Sequence, residues 1–159
     1  MKQKIEQEAE RMLLKKYESY YRLAYSYVKN QQDALDIVQE SAYRVIKECN
    51  KIREETYLST WIYRIVINTS IDFLRKQKGE RVSLDQVEIP WVDRYEENDY
   101  LELLSSLEDN DRVIVILKYI EEWKLDEIAE ILEMNVNTVK ARLYRALKKL
   151  KIVLEPEAT

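Results

Sequence analysis

A chain of 159 residues, 46% hydrophobic and 35% charged, is long enough to bury one medium core or two small ones. One glycine and two prolines disfavour tight turns, strand-rich sandwiches and glycine-rich phosphate loops, and the lack of histidine removes the commonest general base and metal ligand. The lone Cys49 excludes an internal disulfide and a cysteine zinc site and fits a reducing cytosol. No run approaches about 18 apolar residues, so neither a membrane-spanning helix nor a signal peptide is expected.

Abundant Leu, Ile, Glu, Lys and Arg favour helices, and the chain reads as all-α. The first helix is expected over Ile5 to Lys29, with Leu13, Tyr17, Tyr20, Ala24, Tyr27 and Val28 at helical spacing. The second is expected over Asp33 to Asn50, with Asp33 as N-cap and Ile37, Val38, Ala42 and Val45 on one face. Asp36, Gln39, Glu40 and Tyr43 then project from the other side, either as an ordinary solvated face or as a docking edge for a basic protein surface. The third runs from Trp61 to about Lys78, with Ile62, Ile65, Val66, Thr69 and Phe73 on its apolar side. Arg64, Asn68, Asp72 and Arg75 form a polar stripe along it, and Arg75, Lys76 and Lys78 give it a basic end.

Charge divides the chain. Residues 1–80 carry 15 basic and 12 acidic groups, residues 81–110 carry 2 and 9, and residues 111–159 carry 9 of each. The acidic middle contains Pro90 and follows Gly79, so residues 80–99 read as a linker between helical modules at 1–79 and 100–159. Four helices are expected after it: Glu97–Leu107, Asp111–Tyr119, Leu125–Leu132 and Val136–Leu154, with Asp109 or Asn110 capping the second.

The last two of these form a helix-turn-helix, with Asn135 able to cap the second. On a helical wheel centred on Val139, Val136, Leu143, Ala146, Leu147 and Leu150 all lie within about 80° of it. Thr138, Ala141, Arg145 and Lys148 lie opposite, and Lys140 and Arg142 flank the apolar stripe. The helix is either an amphipathic surface helix with a solvated basic face or a major-groove reader. As a reader, Thr138 and Arg145 suit bases, Lys140, Arg142 and Lys148 suit phosphates, and Ala141 fits a thymine methyl.

"DEIAEILEMNVNTVKARLYRALKKL" resembles the promoter-reading segment of extracytoplasmic-function (ECF) sigma factors of the sigma-70 family, and "YRLAYSYVKNQQDALDIVQES" resembles a Bacillus-like type within it. "DALDIVQESAYRVI" resembles that family's helix for docking on the β′ clamp helices of RNA polymerase, and "STWIYRIVINTSIDFLRKQK" its segment that melts the promoter. The departures are Glu133 where the turn usually has Gly, Ala141 where Ser is common, Glu108 where Pro is usual, and Ile52-Arg53-Glu54 where Phe-Arg-Gly is frequent. If Glu133 takes positive φ, it costs about 1 kcal/mol.

The resemblance implies a non-enzymatic polymerase subunit without cofactor, cytoplasmic, that reads a duplex −35 element and a melted −10 element. Asp36, Gln39, Glu40 and Tyr43 would bind core polymerase. Arg53, Trp61, Tyr63, Arg64, Asn68, Asp72, Arg75 and Lys76 would meet melted DNA, with Tyr63 and Asn68 at the flipped-base pocket and Trp61 either core or stacking platform. Asn137, Thr138, Lys140, Ala141, Arg142, Arg145 and Lys148 would meet the duplex. Expected partners are the core enzyme (β′ clamp helices and β flap), promoter DNA and an anti-sigma factor. Two turns of duplex span about 70 Å, and 20 linker residues reach at most about 66–72 Å, so the linker must be extended in the initiation complex. The rival reading is a conventional helix-turn-helix regulator that binds duplex DNA without joining the polymerase.

Overall fold

The structure, a computed structural model, describes residues 4–80 and 103–154, with side chains over 4–77 and 103–151. Every regular element among the described residues is helical. Glu80, expected to open the linker, ends a helix instead, while the rest of the expected linker, 81–99, and most of the expected helix Glu97–Leu107 lie outside the described residues. Two compact units form, one holding Met1–Gln77 and the other holding most of residues 78–159.

The first unit contains α1 (Lys4–Lys15), α2 (Tyr17–Val28), α3 (Gln31–Glu48) and α4 (Leu58–Glu80), with short 3₁₀ turns at Cys49–Lys51 and Glu55–Tyr57. The single helix expected over Ile5 to Lys29 is therefore two. Lys16 leaves helical geometry (φ −105°, ψ 21°), although the ladder continues across it from the Lys16 N–H to the Met12 carbonyl (2.8 Å) and from the Tyr20 N–H to the Lys16 carbonyl (3.1 Å). The bend lets α2 bury Tyr20, Leu23, Ala24 and Tyr27, while Leu14 just before it stays exposed.

The turn between α2 and α3 is only two residues. Lys29 takes a left-handed conformation (φ 59°) and its N–H closes on the Tyr25 carbonyl at 2.7 Å, an αL helix stop. Asn30, not Asp33, caps α3: its side-chain oxygen accepts the Asp33 N–H at 2.9 Å, and its amide donates back to the Asp33 carboxylate at 2.7 Å. Both residues are competent caps, and the reciprocal pair starts the helix three residues earlier than Asp33 alone would.

The core of this unit joins α2, α3 and α4 through Leu23, Ile37, Val45, Ile62 and Val66, each essentially inaccessible. Each such side chain contributes roughly 1.5–3 kcal/mol of burial. Three buried serines return their hydroxyls to the preceding turn, Ser26 to the Leu23 carbonyl, Ser41 to Ile37 and Ser70 to Val66, at 2.7–2.8 Å. These three hydroxyls thus enter the core with a partner already in place.

The second unit contains α5 (Asp109–Val115), a π-helical turn (Ile116–Ile120), α6 (Leu125–Leu132) and α7 (Val136–Leu154). Every residue from Asp111 to Leu117 is buried, so α5 is the unit's central helix. Leu104, Leu107, Ile114, Ile128, Val139, Ala146 and Leu150 fill the core beside it. Glu108 occupies the N-cap position of α5 without a side-chain bond, so neither Asp109 nor Asn110 caps it as expected. Asp109 instead lies within the first turn, where it pairs with Arg112.

α6 and α7 keep the expected bounds. Glu133 has φ 58°, and the Met134 N–H reaches the Ala129 carbonyl at 2.9 Å, the six-to-one bond of a Schellman stop. Asn135 then caps α7, accepting the Asn137 N–H on its side-chain oxygen at 2.8 Å. Tight turns thus exist without glycine: Lys29, Glu122 and Glu133 all have positive φ, and no glycine among the described residues does.

Candidate functional site

On α3, Asp36, Gln39 and Glu40 are exposed and Tyr43 is 61% exposed. These are the positions opposite the buried Ile37, Val38 and Val45. The Lys47 ammonium lies 5.7 Å from the Tyr43 ring centroid, a surface cation–π approach. Gln32 donates to the Asp36 carboxylate at 3.4 Å.

Between α3 and α4 lies a groove of about 340 Å³ whose lining includes Asp36, Glu40, Arg44, Asp72 and Lys76. Arg44 ties its walls together. Its Nε donates to Glu40 at 3.1 Å and its Nη1 to Asp72 at 3.3 Å. Arg44 was not among the sequence candidates; only the i, i+4 spacing from Glu40 hinted at a pair, and the partner 28 residues away had no local signal.

Along α4, Asn68 and Lys76 are exposed, Asp72 and Arg75 have side chains 52% and 77% exposed, and their charges lie 3.9 Å apart. Arg64 is half-buried and donates to the Tyr57 hydroxyl. Trp61 is half-buried, and Arg53 is exposed in the loop between the two 3₁₀ turns. Tyr63 differs from its expected place. It is 1% exposed, with its ring 5.2 Å from that of Tyr20 at an interplanar angle of 71°. This edge-to-face pair is a core contact, so Tyr63 cannot offer a face to a base without leaving the core.

On α7, Thr138, Ala141 and Lys148 are exposed, as the helical wheel placed them, and Asn137 and Lys140 are exposed with them. Leu147 is the exception on the apolar side: at the edge of the stripe it remains 37% exposed, beside Tyr144 at 77%. Tyr144 was not a sequence candidate, although its place between Lys140 and Lys148 put it on the basic side.

Arg142 and Arg145 are both engaged by Asp111 of α5. Arg145 donates from Nε and Nη2 at 2.9–3.2 Å, and Arg142 from Nη1 at 3.2 Å. Hydrogen bonding to Asp111, and then its charge, raises the Arg145 guanidinium pKa above the ordinary value. Asp111 itself is nearly inaccessible, with a side chain 4% exposed, while Arg145 keeps 57%. Arg142 is drawn inward, with 29% exposure and a buried Nε.

An all-helical chain with a capped helix-turn-helix and an exposed basic face on its second helix belongs to the class of DNA-binding proteins. Comparison with known proteins specifies the class. Residues 13–80 match the family description "Sigma-70 region 2", and residues 97–150 match "Sigma-70, region 4". RNA polymerase sigma factor SigV of Bacillus subtilis (strain 168) is 47% identical over 145 residues, covering 88% of this chain and 87% of the relative. The ECF RNA polymerase sigma factor SigW of the same organism is 32% identical over 150 residues, covering 82% and 80%. Among solved structures, the sigma factor RpoE in complex with the anti-sigma factor NepR from Bartonella quintana aligns at TM-score 0.76, covering 93% of this chain and 97% of that one at 21% identity, a likeness of fold. CnrH in complex with the cytosolic domain of CnrY aligns at 0.73, covering 94% and 88% at 20% identity.

The chain belongs to the sigma-70 family, within its ECF group, and directs RNA polymerase to promoters. No helix among the described residues is long and apolar enough to cross a membrane.

Proposed function

We propose that residues 1–79 bind core polymerase and capture the melted −10 element, that residues 80–99 link, and that residues 100–159 read the duplex −35 element. The observation that carries this is the segregation of exposed chemistry. Acid and amide groups with Tyr43 line α3, while a basic row with no acid lines α7.

Asp36, Gln39, Glu40 and Tyr43 dock on a basic polymerase surface. Asn68 bonds a base edge in melted DNA, with Trp61 and Arg64 at the start of the same helix and Arg53 in the preceding loop; Arg75 and Lys76 track the backbone, and Asp72 orients Arg75. On α7, Thr138 and Arg145 meet bases, Ala141 meets a thymine methyl, and Asn137, Lys140 and Lys148 hold phosphates. Arg142 anchors the helix from within. Tyr63 supports this surface as core.

The protein acts in the cytoplasm as a polymerase subunit, and the bond-forming chemistry is the polymerase's. The solved structure of the sigma factor RpoE with the anti-sigma factor NepR supports an anti-sigma partner for this chain, one that covers the same docking and DNA-reading faces.

Run-off transcription with purified core enzyme tests the reading. The chain confers promoter-dependent initiation. Arg145→Ala weakens use of the duplex element, and Asn68→Ala alters selectivity in the melted element while core binding persists. Sequence-specific binding to duplex DNA with no promoter-dependent transcription would instead make the chain a conventional helix-turn-helix regulator. Loss of core binding in Asn68→Ala would remove the base-pocket role from that residue.

A further inference from the structure

The pairing of Asp111 with Arg145 has a geometry that a simple helix-to-helix tie does not need. A tie between α5 and α7 is already made by Arg142, whose Nη1 donates to Oδ1 of the same carboxylate at 3.2 Å and whose side chain is drawn inward. Arg145 adds a side-on grip. Its Nε donates to Oδ2 at 3.2 Å, and its Nη2 donates to Oδ2 at 2.9 Å and Oδ1 at 3.1 Å. The carboxylate is 4% exposed, whereas the arginine it holds is 57% exposed on the same side of α7 as Thr138 and Ala141.

A side-on grip uses one edge of the guanidinium and leaves the other. Nη1 makes no hydrogen bond among the described residues, and Nη2 retains a second N–H. Those two atoms form the end-on fork that matches the O6 and N7 acceptors of guanine in the major groove. A free arginine must give up rotamer freedom to present that fork, a loss that pre-organisation avoids. The carboxylate cannot reach the base itself, being buried under α7.

We propose that Asp111 is a positioning residue for promoter recognition: it grips the Nε–Nη2 edge of Arg145 so that the opposite edge is presented, rigid and correctly turned, to one guanine of the duplex element. The inference rests on the reading of α7 as the duplex-reading helix. The guanidinium of Arg145 is the base reader, and Asp111 acts only through it. Glu108, 3.9 Å from Arg145 Nη2 and itself well exposed, is too distant to share the grip.

The test is transcription by the full chain with core enzyme from a promoter library randomised across the upstream element, with the transcripts sequenced. Arg145→Ala flattens the preference for guanine at one position. Asp111→Asn, similar in shape but without the charge, flattens the preference at that same position by about 5-fold or more, the lower range of discrimination for a bidentate arginine–guanine contact. It leaves the other positions unchanged and adds nothing in an Arg145→Ala background. Asp111→Glu keeps the charge that holds both arginines but displaces the grip by one methylene, so it also loses that preference while the protein stays folded, and it decides the matter if Asp111→Asn unfolds.

If Arg145→Ala leaves every preference intact, the reading of Arg145 as a base contact fails. If Arg145→Ala flattens one position while both Asp111 variants keep it, the positioning role fails and the base contact stands. If the folded Asp111 variants weaken all promoters equally with no position singled out, Asp111 is only a structural tie and the proposal is overturned.

Discussion

Glu133→Gly is the most direct probe of the helix-turn-helix turn. Glu133 sits at φ 58° with the Schellman bond from Met134 to Ala129 closed over it at 2.9 Å. Holding a residue with a Cβ in the left-handed region costs roughly 1–2 kcal/mol. Glycine removes that cost but gives the unfolded chain more freedom, returning roughly 0.4–1 kcal/mol. The net gain is about 1 kcal/mol. Side-chain contacts of Glu133 complicate a direct comparison, so Glu133→Ala is the reference, since it removes the side chain and keeps the Cβ. Hydrogen exchange of the α7 amides at Val139, Leu143 and Ala146 reads the opening of this unit without interference from the other. Their exchange slows about 5-fold in Glu133→Gly relative to Glu133→Ala. Equal exchange in the two variants would mean that the turn does not hold a left-handed residue in solution, and the geometry of the motif would have to be redrawn.

Three further predictions concern the first unit. Asn30→Ala removes the cap and its reciprocal bond with Asp33, lowering stability by about 1 kcal/mol, seen as a lower urea midpoint at unchanged slope. Tyr63→Ala opens a cavity beside Tyr20 and destabilises by roughly 3–5 kcal/mol; a surface stacking residue would leave stability within about 0.5 kcal/mol. Burial raises the Cys49 thiol pKa, so the native protein disfavours the thiolate. Iodoacetamide should therefore label it at a rate set by unfolding. The stability this confers is complete below the ordinary thiol range and is lost as pH rises from there toward the native value.

Much of the helical framework is written in local pattern. α6 and α7 begin and end where the apolar period and Asn135 predicted, because amphipathic spacing and a cap are properties of neighbouring residues. What escaped depends on conformation or distance. Lys29 and Glu122 form left-handed stops that a glycine would have advertised, whereas Glu133 was legible because it fills the turn position where the resembled motif usually has Gly. Asn30 and Asp33 are equally good caps on paper, and only the folded turn selects the first. Asp111 reads as one more acid near a helix start; its partners are 31 and 34 residues away and meet it only when α5 packs on α7. Tyr63 has an amphipathic side chain at a spacing that suits either face, so the periodicity of α4 could not decide between core and groove. The polar stripe of Asn68, Asp72 and Arg75, by contrast, was legible because three exposed positions on one side of a helix need no tertiary partner to define them.

The bridge made by Arg44 has a consequence in genetic terms. One cation serves Glu40 on α3 and Asp72 on α4, at 3.1 and 3.3 Å. Each pair is partly exposed and contributes at most about 1 kcal/mol, so losing either leaves a folded protein. Alleles at Glu40 would nonetheless release Arg44 toward Asp72 and alter the charge beside Asn68. A screen for mutants that dock poorly would then recover altered promoter choice as a second phenotype.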